Sequence, residues 1–187
     1  MKVSLGPRAV AIPMPAFLVA SYDQDSKPNV MTVAWGGIVN SEPPYIGVSI
    51  RHHRWTYEGI EKHQAFTVNI PKTSQAQETD YVGIFSGKTH DKLAKAGLTA
   101  VKSDLVEAPY LQECPLVLEC KVDKYLDLGT HRLYVGLILD VKVNENALTD
   151  GKIDIRKVDP LIFGPNQDYY QIGDFVAKAF SVGKSLK

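Results

Sequence analysis

Residues 131–143 read HRLYVGLILDVKV, and this stretch does most to decide the fold class. The odd-numbered positions from 133 are apolar: Leu133, Val135, Leu137, Leu139, Val141 and Val143. Most polar side chains are at even-numbered positions: Arg132, Tyr134, Asp140 and Lys142. Successive side chains of a strand point to opposite faces, so an alternation of period two over this length predicts a long β-strand. The parity of His131 places it on the apolar face, where a buried, hydrogen-bonded histidine is the usual outcome.

Further strands are predicted on both sides of this stretch. Short apolar runs in the first half are separated by turn-forming clusters such as Asp23–Pro28 and Glu42–Pro44. The predicted strands are Ala16–Tyr22, Asn29–Ile38, Tyr45–Arg51, Ala65–Ile70 and Pro115–Val122, with Pro160–Gly164 as a candidate last strand.

Short helices are predicted between the strands. The candidates are Thr56–His63 with Thr56 as N-cap, Ser74 to about Phe85 from the capping-box spacing of Ser74 and Gln77, His90–Ala96 closed by Gly97, and Asp174–Phe180. Strands nevertheless dominate, and a closed or nearly closed barrel removes sheet edges. The expected fold is therefore mainly β with short helices, built as a β-barrel.

Bulk properties limit the classes of protein to consider. The 187 residues fit a single domain over 1–187, and 44% hydrophobic with 22% charged residues is ordinary for a globular fold. Lys plus Arg and Asp plus Glu both number 21, so a broad nucleic-acid-binding face is not expected. No stretch resembles a signal peptide or reaches the roughly 20 apolar residues of a membrane helix, which favours a cytoplasmic protein with no membrane partner.

Common catalytic and metal-binding motifs are absent from the sequence. There is no GxGxxG, Walker A, GxSxG or HExxH motif, and the five histidines show no metal-ligand spacing. Cys114 and Cys120 lie roughly 20 Å apart if they share one strand, so a bond between them there is excluded. We expect two reduced cysteines packed as small hydrophobic residues.

Three segments contain residue types suited to a flat, phosphorylated ligand. Residues 29–37, NVMTVAWGG, end in a glycine pair that admits a ligand or simply bends a barrel strand. Residues 49–57, SIRHHRWTY, place Arg51 and Thr56 at a helix start, which suits a phosphate or an ordinary capped loop. In residues 85–92, FSGKTHDK, Lys92 pairs with an anion or lies on the surface.

Taken together, an ordered set of strings resembles the flavoredoxin and flavin-reductase-like family. The strings are PNVMTVAWGG, PPYIGVSIR followed by Thr56, AFTVNIP, DYVGIFSGKTHDK, APYLQECPLVLECKV, GTHRLYVGLILDV and YYQIGDFVAKAFSVGK. Each string is weak alone, but they follow the order of the family across nearly the whole chain.

The resemblance implies an FMN-binding split β-barrel of Greek-key type that forms a homodimer, with the flavin near the subunit interface. Asn29, Met31, Thr32, Ala34 and Trp35 would line the isoalloxazine, and His131 would lie near that ring. Ser49, Ile50 and Arg51 would bracket the ribityl chain and phosphate, Thr56 and Tyr57 would complete the phosphate contacts, and Ser86, Gly87 and Lys92 would close over them. Residues 52–54 match no family motif and receive no role.

Three functions remain open at this point. The first is an FMN oxidoreductase that uses NADH or NADPH, and the second is an electron carrier with a redox partner protein. The third is a split-barrel protein without redox chemistry that binds haem or pyridoxal phosphate. The first two differ in access to the flavin, which depends on the segments Tyr125–Thr130 and Tyr169–Tyr170.

Overall fold

Seven antiparallel strands form the main sheet of the molecule. The computed structural model describes residues 1–186. The strands are β1 (Met14–Pro15), β2 (Phe17–Tyr22), β3 (Pro28–Val33), β4 (Gly36–Ser41), β5 (Pro44–Arg51), β6 (Ala65–Ile70), β7 (Ala100–Lys102), β8 (Pro109–Leu111), β9 (Leu116–Asp127), β10 (His131–Val143), β11 (Leu148–Thr149), β12 (Lys152–Ile153), β13 (Ile162–Phe163) and β14 (Tyr169–Tyr170). The α-helices are α1 (Trp55–His63), α2 (Ala76–Ile84), α3 (Lys92–Ala96) and α4 (Ile155–Val158). The predicted mainly β fold with short helices is confirmed.

The order of strands in the main sheet is β3-β2-β6-β9-β10-β5-β4. Several neighbours are not consecutive in the chain, as in Greek-key rather than up-and-down arrangements. The two edge strands, β3 and β4, are joined directly by Ala34 and Trp35. One continuous segment therefore bridges the two edges, and the sheet curls into a split barrel.

The predicted strand Asn29–Ile38 is in fact two strands. The run from Pro28 to Val33 pairs with β2, whereas Gly36–Ser41 pairs with β5. Between them, the backbone N–H of Ser49 donates to the carbonyl oxygen of Trp35 at 2.8 Å. Sequence periodicity cannot show this break because it does not identify which strand each residue pairs with.

Strand β10 also departs from its predicted facing pattern. Ile138 pairs with Cys120 and Asp140 with Glu119, so Leu139 is the extra residue of a β-bulge. The predicted common face of Leu133 through Val143 is therefore wrong, because the bulge reverses the parity beyond Leu139. Before the bulge, it is Tyr134 that lies in the core, and Leu133, Val135 and Leu137 are only partly buried.

Two apolar clusters hold the fold together. The barrel interior contains Val19, Ile46, Val48, Phe66 and Tyr134 among others. A second cluster lies on the other face of β2, β3 and β9 and includes Val82, Leu98 and Leu111 from the segments that cover it. Each buried aliphatic or aromatic side chain contributes about 1.5–3 kcal/mol.

Cys114 and Cys120 are both buried and unbonded, which confirms the expectation of two packed thiols. Burial raises the pKa of the Cys114 thiol to about 12 and that of Cys120 further still. Both thiols are therefore unreactive in the folded chain at neutral pH.

The helices begin at different residues from those predicted. Helix α1 starts at Trp55 with Arg54 as its N-cap residue, so Thr56 is not the cap. A 3₁₀ turn at Thr73–Gln75 precedes α2, and Gln75 rather than Gln77 accepts the reciprocal bond, from the N–H of Lys72 at 2.8 Å.

The later helix predictions have mixed outcomes. Gly97 ends α3 with a φ of 64°, as predicted. The helix begins at Lys92 rather than at His90, because Asp91 caps it by accepting the N–H of Ala94. The predicted helix Asp174–Phe180 is wrong, since only a 3₁₀ turn at Val182–Leu186 forms near that end. None of the helices within residues 1–186 is long and apolar enough to cross a membrane.

Candidate functional site

Two adjoining clefts open where β3 passes into β4, beside the end of β5 and the start of α1. The aromatic cleft, of about 150 Å³, is lined by Met31, Thr32, Val33, Ala34, Trp35, Ser49, Arg51, Arg54 and His131. The cationic cleft, of about 90 Å³, is lined by Met31, His53, Arg54, Trp55, Thr56, Phe85, Ser86, Gly87 and Lys92. Met31 and Arg54 belong to both, so the two clefts are parts of one depression.

All the residues predicted for the site lie in these clefts except Asn29, Ile50 and Tyr57. Asn29 is buried beside them, where its Nδ2 donates to the Thr56 hydroxyl at 2.7 Å. The side chain of Ile50 is fully buried in the barrel core. Tyr57 packs against Tyr134, with ring centres 5.9 Å apart, so its ring supports the barrel instead of the clefts.

Five residues that line the clefts were missed from the sequence, namely Val33, His53, Arg54, Trp55 and Phe85. Arg54 is the most important because it faces both clefts. The sequence feature that could have identified Arg54 is its position directly before a helix, where the first backbone N–H groups are free to bind an anion. The N-cap of α1 was predicted at Thr56, two residues after the observed N-cap, and this hid the position of Arg54.

The cationic cleft holds two positive side chains without a negative partner. Arg54 Nη2 donates to the carbonyl oxygen of Gly83 at 2.7 Å, and Lys92 Nζ donates to that of Val82 at 2.9 Å. Within residues 1–186, neither side chain forms an ion pair with a carboxylate. A buried cation normally has a counter-charge, so this cleft is suited to an external anion.

Burial also changes the proton affinity of these cations. Lys92 is only 5% exposed, and burial lowers its pKa to about 8, with a smaller contribution from Arg54. Burial and the neighbouring charge of Arg51 lower the pKa of Arg54 as well. A bound anion would oppose both effects because it stabilises the charged forms.

The backbone at Gly87 forms the remaining wall of the cationic cleft. A Cβ atom there would lie 2.1 Å from Asn29 Oδ1 and 3.0 Å from Trp55 Cδ1. The loop that follows α2 therefore packs closely on the start of α1, whose N-terminus has no side-chain cap. Free N–H groups of that helix turn add to the attraction for an anion.

Trp35 and His131 form the outer wall of the aromatic cleft. Their ring centres are 4.8 Å apart with planes tilted by 37°, and Trp35 is 43% exposed. His131 is half-buried, not enclosed in the core, and its Nδ1 lies 2.8 Å from the Thr130 hydroxyl. Burial, and to a smaller extent the positive groups Arg51, His52 and His53, lower the pKa of His131, which favours its neutral form.

A larger cavity of about 730 Å³ lies beyond Gly87 and Lys92. Its lining carries charges of both signs, including Asp23, Asp91, Lys27 and Lys88. The paired clefts, which are lined by Arg51, Arg54 and Lys92 and by no carboxylate, are the better candidate for an anionic ligand.

The sequence model of the flavin reductase like domain matches residues 9–172. The chain belongs to the flavin reductase-like family. Its fold is that of the flavoredoxin of Desulfovibrio vulgaris (Miyazaki F), with 48% identity, a TM-score of 0.93, and coverage of 98% of this chain and 100% of the other. The resemblance seen in the sequence is therefore confirmed.

Two further comparisons support membership of the flavin reductase-like family. A flavoredoxin structure from Methanosarcina acetivorans is 34% identical, with a TM-score of 0.94 and coverage of 100% of both chains. An uncharacterised protein of Archaeoglobus fulgidus is 37% identical over 144 residues, which span 77% of this chain and 80% of that one.

Proposed function

We propose that this protein binds FMN in the paired clefts and transfers electrons through it. One observation carries the proposal: an aromatic cleft adjoins a cationic cleft in which Arg54 and Lys92 have no carboxylate partner among the described residues. A ligand that fills both clefts must contain a flat ring system and an anionic group. The family supports a flavin in electron transfer, and the cationic cleft favours the phosphorylated mononucleotide.

Arg54, Lys92 and the uncapped start of α1 would hold the phosphate. Arg54 supplies a planar guanidinium suited to phosphate oxygens, whereas Lys92 acts as a point charge. The Gly87 backbone approaches closely because it has no side chain, and the Asn29–Thr56 bond holds the Thr56 hydroxyl at the cleft wall. Sequence reasoning gave this role to Arg51, which instead lines the aromatic cleft.

The aromatic cleft would hold the ring. Met31, Ala34 and Trp35 offer apolar surface, and Thr32 and Ser49 add hydroxyl groups at its edge. Bound FMN would supply the redox chemistry, since its ring accepts and releases electrons. Arg51 would stabilise negative charge that develops on the ring, and His131 would exchange a proton through Nε2, which has no hydrogen-bond partner among residues 1–186.

The proposed assembly is a homodimer. Before its bulge, β10 directs Leu133, Val135 and Leu137 away from the barrel interior, where they remain only partly covered. Leu126 and Leu128 nearby are 56% and 55% exposed. A strip of apolar side chains on the outside of a barrel is typical of a surface that packs against another subunit.

Absorbance spectroscopy is the first test. Protein purified without added cofactor should show oxidised-flavin bands, and it should take up added FMN if it is purified empty. Bleaching by NADH or NADPH under anaerobic conditions would identify a reductase, and bleaching only by dithionite would identify a carrier with a protein partner. A colourless protein that fails to bind FMN would contradict the proposal and favour another ligand such as haem or pyridoxal phosphate.

The affinity for FMN should fall as the pH rises above about 8. The pKa of Lys92 in the free chain is about 8, and a bound phosphate stabilises the charged amine and raises that pKa. Binding therefore takes up a proton above pH 8, and the affinity falls by at most tenfold per pH unit. Below pH 8, Lys92 is already charged and the affinity should be nearly constant.

Fluorescence titrations with FMN between pH 7 and 10 would measure this dependence. In Lys92→Met, which has no titrating amine, the affinity should be lower at pH 7 and should vary much less with pH. An equal pH dependence in both proteins would assign the effect to another group.

A further inference from the structure

The last described residues, 171–186, form a C-terminal arm that follows β14 and ends in the 3₁₀ turn at Val182–Leu186. Every side chain from residue 173 to 186 is exposed. Phe175, Val176 and Phe180 are 72%, 94% and 98% exposed, respectively. Large apolar side chains at this level of exposure gain nothing from the fold of their own chain.

The composition of the arm is unlike that of a solvated tail. Residues 175–183, FVAKAFSVG, contain two phenylalanines and two valines but only one charged residue, Lys178. Segments that stay in water are typically poor in aromatic residues and rich in charge. The arm therefore has the composition of a segment that is buried against something.

The arm is also common to a related structure. The match to the Methanosarcina acetivorans flavoredoxin, at 34% identity, extends over 100% of both chains and so includes the arm. Both chains therefore have a C-terminal segment of the same length after the same fold.

An apolar groove of about 560 Å³ supplies the complementary surface. Its walls include Met14, Trp35, Val39, Leu128 and Leu133, and none of its lining residues is charged. Gly47 forms part of its floor, since a Cβ there would lie 3.1 Å from Val39 and 3.2 Å from Leu133. The groove is open while the phenylalanines of the same chain remain exposed, so the arm of its own chain does not fill it.

The position of the arm favours a second copy of the chain as the source of the occupant. β1 pairs with β13 and β13 with β14, so the arm leaves two strands away from Met14, about 10 Å from the groove. A two-fold interface presents the same patch on both subunits. Leu128 and Leu133 belong both to the groove and to the proposed dimer surface, so an arm that starts beside its own groove would start close to the groove of the partner.

We propose that the C-terminal arms are exchanged in the dimer, so that Phe175 and Phe180 of each subunit enter the apolar groove of the other. This inference rests on the proposed homodimer. The groove and the aromatic cleft share Ala34, Trp35 and Ser49. The arm of the partner therefore packs beside the proposed flavin site, which is complete only in the dimer.

Sedimentation equilibrium of full-length protein tests the energetic part of the proposal. Replacing both phenylalanines, Phe175→Ala with Phe180→Ala, removes four buried rings per dimer and should raise its dissociation constant on the order of a hundredfold or more. The barrel should stay folded because the arm covers none of it. Leu105→Ala, at a similarly exposed apolar residue between β7 and β8, is the matched control and should leave the dimer unchanged.

A photo-crosslink tests the direction of the arm. With a benzophenone side chain in place of Phe180, irradiation should give a covalent dimer whose crosslinked peptide contains residues 34–39 or 128–133. A crosslink within one chain, or none to the groove, would overturn the exchange, as would an unchanged dimer in the double variant.

The outcomes separate this inference from the proposed function. A monomeric full-length chain would contradict both the homodimer and the exchange, whatever its flavin content. A crosslinked dimer that binds no FMN would leave the exchange standing and contradict only the flavin proposal.

Discussion

FMN should bind roughly 10- to 100-fold more weakly to a chain that carries Arg54→Met than to the unaltered protein. Hydrogen bonds to a charged group contribute about 1.5–3 kcal/mol, and Arg54 is the cation that faces both clefts. Methionine keeps much of the length and apolar volume of arginine, so the loss would report the missing charge. The affinity is measured by quenching of FMN fluorescence at pH 7.

Two other arginines give matched controls for this prediction. Arg156→Met alters an exposed side chain on α4 and should leave the affinity unchanged. Arg51→Met should have the smaller effect of the two cleft arginines, because Arg51 is exposed and lines only the aromatic cleft. If Arg51→Met weakens FMN more than Arg54→Met does, the phosphate lies where the sequence first suggested.

The free energy of unfolding should fall by about 3 kcal/mol in Lys142→Met. Glu119 is fully buried on β9, and Lys142 Nζ lies 2.9 Å from its Oε2. Removing the cation leaves a buried carboxylate without its ion-pair partner. We expect the low end of the range for broken buried pairs, since the Lys142 side chain is itself 38% exposed.

Urea denaturation at fixed protein concentration measures this loss. The double variant Glu119→Gln with Lys142→Met removes both charges together and should recover much of the stability. Asp140 also contacts Lys142, at 2.8 Å, so Asp140→Asn is a surface control with an expected change below about 1 kcal/mol. A double variant no more stable than Lys142→Met would show that the charge of Glu119 is not the cause.

Local sequence patterns predicted the strands well because each strand has its own alternation and its own turn residues. Ala65–Ile70 was predicted with the boundaries that the structure has. The failures occur where pairing between distant strands decides the outcome. The change of partner after Val33 and the bulge at Leu139 both depend on neighbours that lie far away in the sequence.

The candidate site was predicted mostly through family resemblance. Residue types alone left Trp35 and Lys92 open between the core or surface and a binding site. The place of Lys92 in the cationic cleft depends on a tertiary contact, the packing of the Gly87 loop on the start of α1. The place of Trp35 in the aromatic cleft depends on the change of pairing partner between β3 and β4. Arg54 was missed because its role follows from the residue at which α1 begins, and helix boundaries are the least certain part of a sequence-based prediction.

The bond from the Ser49 amide to the Trp35 carbonyl continues the β4–β5 ladder to the point where the chain passes from β3 into β4. Ser49 and Trp35 also line the aromatic cleft, so a ligand there would lie against this end of the ladder. Hydrogen exchange of this single amide would then report how often this end of the ladder opens. A bound ring would slow that exchange, while amides between β6 and β9, far along the sheet, would keep their rates until the whole barrel unfolds.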